Sequence, residues 1–310
     1  MNFLRNKISW VCHHAHLDKS QVITSKLLDK SKLHMQEKWY LMKEIKQNYQ
    51  ADELSSRMNL TISNLVIQGC KNIRSFIDVD NTVGLMCVEE AYKLKQIWAD
   101  RGVKIQLATQ PLEGLANNSK NIELFEKAAE ICDIVGCLPS RDGKDLDQHL
   151  DIAFSTAQRL QKPIEAHLDQ LNIPSENETA QFCNFVDKYS YMNRARAVHS
   201  ISLACQDLDK QQEIAERMAT LRIGLIVCPS AAISMIQHSE FTAPIHNSIA
   251  PVKILHNAGV NIGLGVDNIN DLFMPFCDGN FEFELRLLAE ATRIYDLDIL
   301  EKIAENKMGF

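Results

Sequence analysis

Two histidines one residue apart, His14 and His16, close an apolar run that begins at Ile8, and Asp18 and Lys19 follow at once. Side chains alternate across a strand, so residues i and i+2 share a face. The two imidazoles therefore project together from the end of a predicted strand. There they could chelate one divalent metal, because a neutral ring nitrogen is a good ligand for zinc or iron. A bare His-x-His pair is also what an exposed polar strand end looks like. The elements that carry the pair decide between the two.

Those elements form a regular alternation of short β-branched apolar runs and longer amphipathic stretches. Strands are predicted at 8–12, 72–79, 103–109, 134–138, 163–168, 194–199, 222–228 and 260–266. Helices are predicted at 51–69, 88–101, 119–131, 145–160, 176–189, 210–220, 250–257, 280–295 and 297–305, with a further helical region around Met35 to Ile45. Gly102 stops one helix and Ser119 is placed as the N-cap of another. Strands separated by helices run parallel, because each crossover returns the chain to the same end. Eight such units in 310 residues match an α/β fold of the (β/α)8 TIM-barrel type. A doubly wound open sheet is the alternative, but it carries a glycine-rich phosphate loop after its first strand, where this chain has histidines.

Composition narrows the function. Hydrophobic residues make up 45 % and charged residues 24 %, as in ordinary globular proteins. The net charge of −7 argues against a nucleic-acid partner. The absence of an apolar run of membrane-spanning length argues against a membrane partner. The nine cysteines are dispersed, with no C-x-x-C pair, and the N-terminus has no secretory apolar core, so a reduced, cytoplasmic setting is expected.

Barrel enzymes gather their chemistry at the C-terminal ends of the strands. Here those ends hold His14 and His16 (first strand), His167 (fifth), His199 (sixth) and Asp267 (eighth), so four of the ten histidines converge there. A metal with three or four protein ligands and one open position lowers the pKa of a water towards neutrality and makes hydroxide available. Asp267 is suited to take that water's proton, and His199 to orient the hydroxide or polarise the substrate. The fourth strand, Ile-Val-Gly-Cys-Leu, has no lysine to bridge two metals, which favours a mononuclear centre.

The arrangement resembles the amidohydrolase superfamily, and within it the cytosine deaminase-like branch. The matching phrases are His-Leu-Asp-Lys (16–19), Arg-Ser-Phe-Ile-Asp-Val (74–79), Gln-Pro-Leu-Glu-Gly (110–114), Glu-Ala-His-Leu-Asp-Gln (165–170), Ala-Val-His-Ser (197–200) and Gly-Val-Asp-Asn-Ile-Asn-Asp-Leu-Phe-Met-Pro (265–275). They fall in the family's order along nearly the whole chain. The resemblance implies one divalent metal (zinc or iron, with manganese also accepted) held by His14, His16, His167 and Asp267, with His199 beside the hydroxide. It implies hydrolysis of a non-peptide C–N bond in a small nitrogen heterocycle, typically deamination of a cyclic amidine.

Three positions depart from the pattern. Gln170 stands where the family has a glutamate that shuttles a proton, and an amide cannot do so. Leu112 replaces a glutamine that reads a pyrimidine edge, and Asn268 replaces the carboxylate after the metal aspartate. Phe273 occupies the aromatic lid position, where it serves equally as a core residue. These changes point away from cytosine. They also keep two further readings open: a catalytically impaired binding protein, and an amide or ring-opening hydrolase.

The barrel is expected to occupy residues 1–310 as a single domain, with the family's small β-sandwich domain largely absent. Apolar surface so uncovered would be buried in a homo-oligomer. His13, His34, His149, His238, His246 and His256 read as solvated or loop histidines, and Lys19 as a surface lysine. Glu113 reads as lining the pocket or lying on the surface. Asp169, adjacent to Gln170, is expected to point to the opposite face.

Overall fold

The computed structural model describes residues 8–235 and 249–310. Eight short strands follow the predicted order: β1 (Val11–Cys12), β2 (Asn72–Asp78), β3 (Lys104–Gln110), β4 (Val135–Cys137), β5 (Ile164–Leu168), β6 (Ala195–His199), β7 (Gly224–Val227) and β8 (Ile262–Leu264). All neighbouring pairs are parallel, β1 to β3 in one sheet and β4 to β8 in another. Individual hydrogen bonds join the sheets at both seams. Ile134 N donates to Leu107 O (3.1 Å) between β3 and β4. His13 N donates to Leu264 O (2.9 Å) between β8 and β1. Each strand therefore has a neighbour on both sides, as the barrel prediction requires.

The helices form because their apolar residues recur at helical spacing. Along Ala51–Ile67, the residues Leu54, Met58, Ile62 and Leu65 make one buried stripe. The Ser119–Ile131 helix has its predicted limits, but its N-cap is Asn118, whose side chain accepts from Asn121 N at 3.1 Å. Ser119 is the first helical residue instead. Inside the ring, Phe76, Ala108, Ile134, Val198 and Ile226 form a buried inner core. Gly136 lies against Phe76. A Cβ there would run into the Phe76 ring and the Thr109 carbonyl, so this strand position has to lack a side chain.

The floor of the barrel is polar. Arg74 (β2), Glu165 (β5) and Arg196 (β6) are buried together, and one Glu165 oxygen pairs with Arg74 at 2.8 Å and Arg196 at 2.7 Å. Arg74 also donates to the Met308 and Gly309 carbonyls at 3.1 and 3.3 Å and lies 4.7 Å from the Phe310 ring centre. His13 belongs to this floor and is fully buried, contrary to its reading as a loop histidine. Its Nε2 lies 2.6 Å from Asn306 O and its Nδ1 3.3 Å from Arg74 Nη1. A neutral ring satisfies both contacts, donating at Nε2 and accepting at Nδ1.

Two outcomes are expected. Glu165→Leu leaves two buried guanidiniums facing each other without a counter-charge, so chemical denaturation should read a loss of about 3–5 kcal/mol. Burial and the nearby Arg74 push His13 down to about 3, so the folded chain keeps it neutral while the unfolded chain protonates it near pH 6.5. Its contribution is therefore present above that pH and is lost as pH falls towards 3. By pH 5 the loss amounts to about 2 kcal/mol. In His13→Gln, the slope of unfolding free energy against pH below 6.5 should fall by one proton, and an unchanged slope would contradict the assignment.

Candidate metal centre

Four strand ends deliver the predicted cluster. His14 and His16 follow β1, His167 lies in β5, His199 ends β6, and Asp267 lies just beyond β8. A parallel bridge between Ala15 and Asp267, with Val266 N and Asp267 N both donating to His14 O at 3.0 Å, fixes the first pair against the aspartate. Two of these residues have left-handed backbone, His199 (φ 74°) and Asp267 (φ 60°). That conformation is costly for non-glycine residues and is found where the surroundings impose an orientation.

The ligand atoms face one point. His167 Nε2 lies 3.2 Å from His14 Nε2 and 3.4 Å from His16 Nε2. Asp267 Oδ1 lies 3.4 Å from His14 Nε2 and 3.2 Å from His16 Nε2. The second Asp267 oxygen is 3.5 Å from His199 Nε2. In a tetrahedron with bonds of 2.0–2.1 Å, ligand atoms sit about 3.3–3.4 Å apart, so these edges fit a divalent ion. His14, His16, His167 and Asp267 would hold it, with His199 just outside.

The protonation states suit the same role. Burial drives the His16 ring down to about 3, helped by Lys19. Burial drives His199 to about 4 and His167 well below its usual range. Neutral imidazoles are what a metal requires. Burial alone would raise Asp267, but the adjacent His14, with hydrogen bonds from His14 and His16, holds its carboxyl well below the usual range. Cys228 sits close to His14 and Asp267, yet burial pushes its thiol far up and keeps it protonated.

A pocket opens onto the cluster. Gln170, Leu112, Asn268 and Phe273 all line it with His16, His167, His199 and Asp267. The Gln170 Nε2 is buried and has no hydrogen-bond partner among the described residues. The Asn268 amide donates to Asp271, which also accepts from Phe273 N (2.8 Å) and Met274 N (2.9 Å). Asp169 is turned away: its oxygens accept from Glu178 N (2.7 Å) and Thr179 N (3.2 Å), tying its loop to the Glu178–Lys188 helix.

Several bland readings need correction. Lys19 is not a surface lysine. It is 2 % exposed, lines the pocket, and pairs with Asp78 at 2.7 Å. Lys46 is buried on the other side of Asp78, at 2.9 Å. Glu113 does not line the pocket and bonds Lys43 at 3.1 Å and Thr82 at 2.5 Å. His149 is fully buried, with Nδ1 2.5 Å from Asp142 and Nε2 accepting from Leu138 N at 3.1 Å. His34 flanks the Met35–Lys46 helix as its N-cap, His256 is half-buried, and His238 and His246 lie outside the described residues.

Two pocket residues escaped the sequence reading. Gln110, at the end of β3, has a buried Oε1 without a partner among the described residues. Lys38 is 7 % exposed and lines the pocket. Its signal was available: Lys38 and Lys46 occupy the i+3 and i+11 positions of the stripe begun by Met35 and continued by Trp39 and Met42.

No family model matches the chain. An uncharacterised protein of Haemophilus influenzae is 28 % identical over 257 residues, spanning 80 % of this chain and 92 % of that one. The N-isopropylammelide isopropyl amidohydrolase of a Pseudomonas strain is 23 % identical over 217 residues, 69 % of this chain and 50 % of the relative, so this chain matches only about half of that relative's length. Among solved structures, the 5-methylcytosine deaminase of Klebsiella pneumoniae with 5-fluorocytosine superposes with a TM-score of 0.88 at 20 % identity, covering 96 % of this chain and 72 % of that one. The N-isopropylammelide isopropylaminohydrolase of Burkholderia multivorans gives 0.79 at 17 %, with the same coverage. A zinc-bound adenosine deaminase of Xanthomonas campestris gives 0.61 at 14 %, covering 92 % and 61 %. The resemblance read from the motif order is thus met again: a curated relative is named an amidohydrolase, and the fold is shared with solved structures of a deaminase and an isopropylaminohydrolase.

Proposed function

We propose that this protein is a metal-dependent hydrolase of a non-peptide C–N bond, acting on a small nitrogen heterocycle. The observation that carries the reading is the ring of His14, His167, His16 and Asp267, with ligand-atom separations of 3.2–3.4 Å at the base of a pocket. The amidohydrolase name of the Pseudomonas relative supports the bond type. A divalent metal bound by these four residues supplies Lewis acidity and so a hydroxide nucleophile at neutral pH.

The chain's own residues supply the rest. Asp267 offers one oxygen to the metal ligands' side and the other towards His199, so it can take a water proton and pass it on. His199, neutral and fixed by its strained backbone, orients the nucleophile and polarises the bond under attack. Phe273 gives the ring an aromatic surface beside Leu112, which adds apolar contact without reading a base edge. Gln170 donates a hydrogen bond to the ring or the leaving nitrogen. It holds no transferable proton, so the leaving group has to be protonated by way of Asp267 or depart with little help. That feature favours, as a second reading, a barrel that binds its heterocycle but turns it over weakly.

Loading with zinc or iron should give one metal per chain by elemental analysis. Chelation should lower the melting temperature and re-addition restore it, while His167→Ala should weaken metal retention at least about tenfold. A metal-free protein indifferent to added metal would remove the basis of the proposal. Ammonia release from aminated pyrimidines and triazines should be measurable, and cytosine should be a poor substrate. If only the proton shuttle is missing, Gln170→Glu should raise turnover by about 10²-fold. A loss of the native activity in that variant would instead make glutamine part of a different mechanism.

A further inference from the structure

The pocket contains a cation that makes no ion pair among the described residues. Lys38 sits on the Met35–Lys46 helix at a core position, next to Trp39, and only 7 % of it is exposed. Its ammonium has no hydrogen bond or ion pair among the described residues. The other pocket lysine, Lys19, is held by Asp78 at 2.7 Å. The carboxylate that acts on Lys38 through space is Asp271. That group already accepts hydrogen bonds from Asn268, Phe273 N and Met274 N, and it is not within ion-pair distance. Most of the side chain is buried while its ammonium meets the pocket without a protein counter-charge in contact, and a neutral side chain would fill the same space without carrying a charge there. Such a group makes physical sense when the ligand brings the counter-charge.

Two amide atoms of pocket glutamines also lack partners among the described residues: Gln170 Nε2, a donor, and Gln110 Oε1, an acceptor. A ligand that satisfies all three presents a hydrogen-bond acceptor to Gln170, an N–H to Gln110 and a charged oxygen to Lys38. We propose that Lys38 selects substrates carrying an anionic oxygen, so that the heterocycle is one bearing a carboxylate or an ionised ring oxygen. This rests on the hydrolase reading above and narrows its substrate class.

The test is direct binding by calorimetry to the metal-loaded protein at neutral pH, with rings of matched size. Barbiturate and orotate are the anionic probes, and uracil and cytosine the neutral ones. Wild type should bind the anions about tenfold to a hundredfold more tightly than the neutral rings. Lys38→Met should erase that preference at unchanged metal content, while Lys38→Arg should keep it. A preference that falls with added salt in wild type supports the same conclusion if Lys38→Met does not fold. Equal affinities in wild type, a preference that survives in Lys38→Met, or no binding of either anion overturns the proposal. Metal content, read on the same samples, separates the two failures. Stoichiometric metal with no anion preference ends the Lys38 inference and leaves the hydrolase reading standing, whereas absent metal ends the hydrolase reading itself.

Discussion

The site depends on the seam where the last strand meets the first. The His14 carbonyl accepts from both Val266 N and Asp267 N, and His16 N donates back to Asp267 O at 3.3 Å. These backbone bonds join the segment after the last strand to the segment after the first, and in the same few residues they set three of the four candidate metal-ligand side chains. Gly265 shows how tight the seam is: a Cβ there would lie 2.7 Å from the His14 Cβ and 2.8 Å from Cys228 Sγ. The residues that join the last strand to the first are thus the ones that carry the candidate centre. The left-handed backbone at Asp267 is maintained because hydrogen bonds on both sides over-determine it.

Around that seam the charges are arranged in layers. The floor carries Arg74, Arg196 and Glu165 in mutual compensation. Beside the site, Asp78 lies between Lys19 and Lys46; burial alone would raise its carboxyl, but the two lysines hold it down at about 2. Asp78, Lys19 and Lys46 each have an opposite charge in contact, which is the condition under which burial is tolerable. In the candidate metal cluster a single carboxylate, Asp267, is surrounded by imidazoles. Lys38 has no such contact among the described residues, and it lines the pocket.

Much of this was legible in the sequence. Strand order, the helix stripes and the five residues at strand ends are all encoded locally, by period and by position. A strand end followed by a helix start leaves a signature even when the strand is as short as the two residues of β1. What was not legible is burial. His13 and Lys19 are polar residues whose partners lie far along the chain: Asn306 for His13, Asp78 for Lys19. Sequence alone gives no distance between such partners, so the default reading placed them in water. His149 lay nearer to recognition, since Asp142 is seven residues away, but the intervening turn hides their contact. Gln170 was the opposite case. Its identity mattered more than its location, and identity is what a sequence states outright.

The polar plug at the bottom of the barrel has a consequence for traffic. With Arg74 and Glu165 fully buried and Phe76 filling the space above them, the described residues make the barrel a vessel closed at its floor. Whatever enters must reach the histidines from the top, past Trp39 and Phe273. If the proposed hydrolysis takes place there, both products return through the same neck. In such a vessel the order of departure, and not only the bond-breaking step, sets how quickly the next molecule can be received.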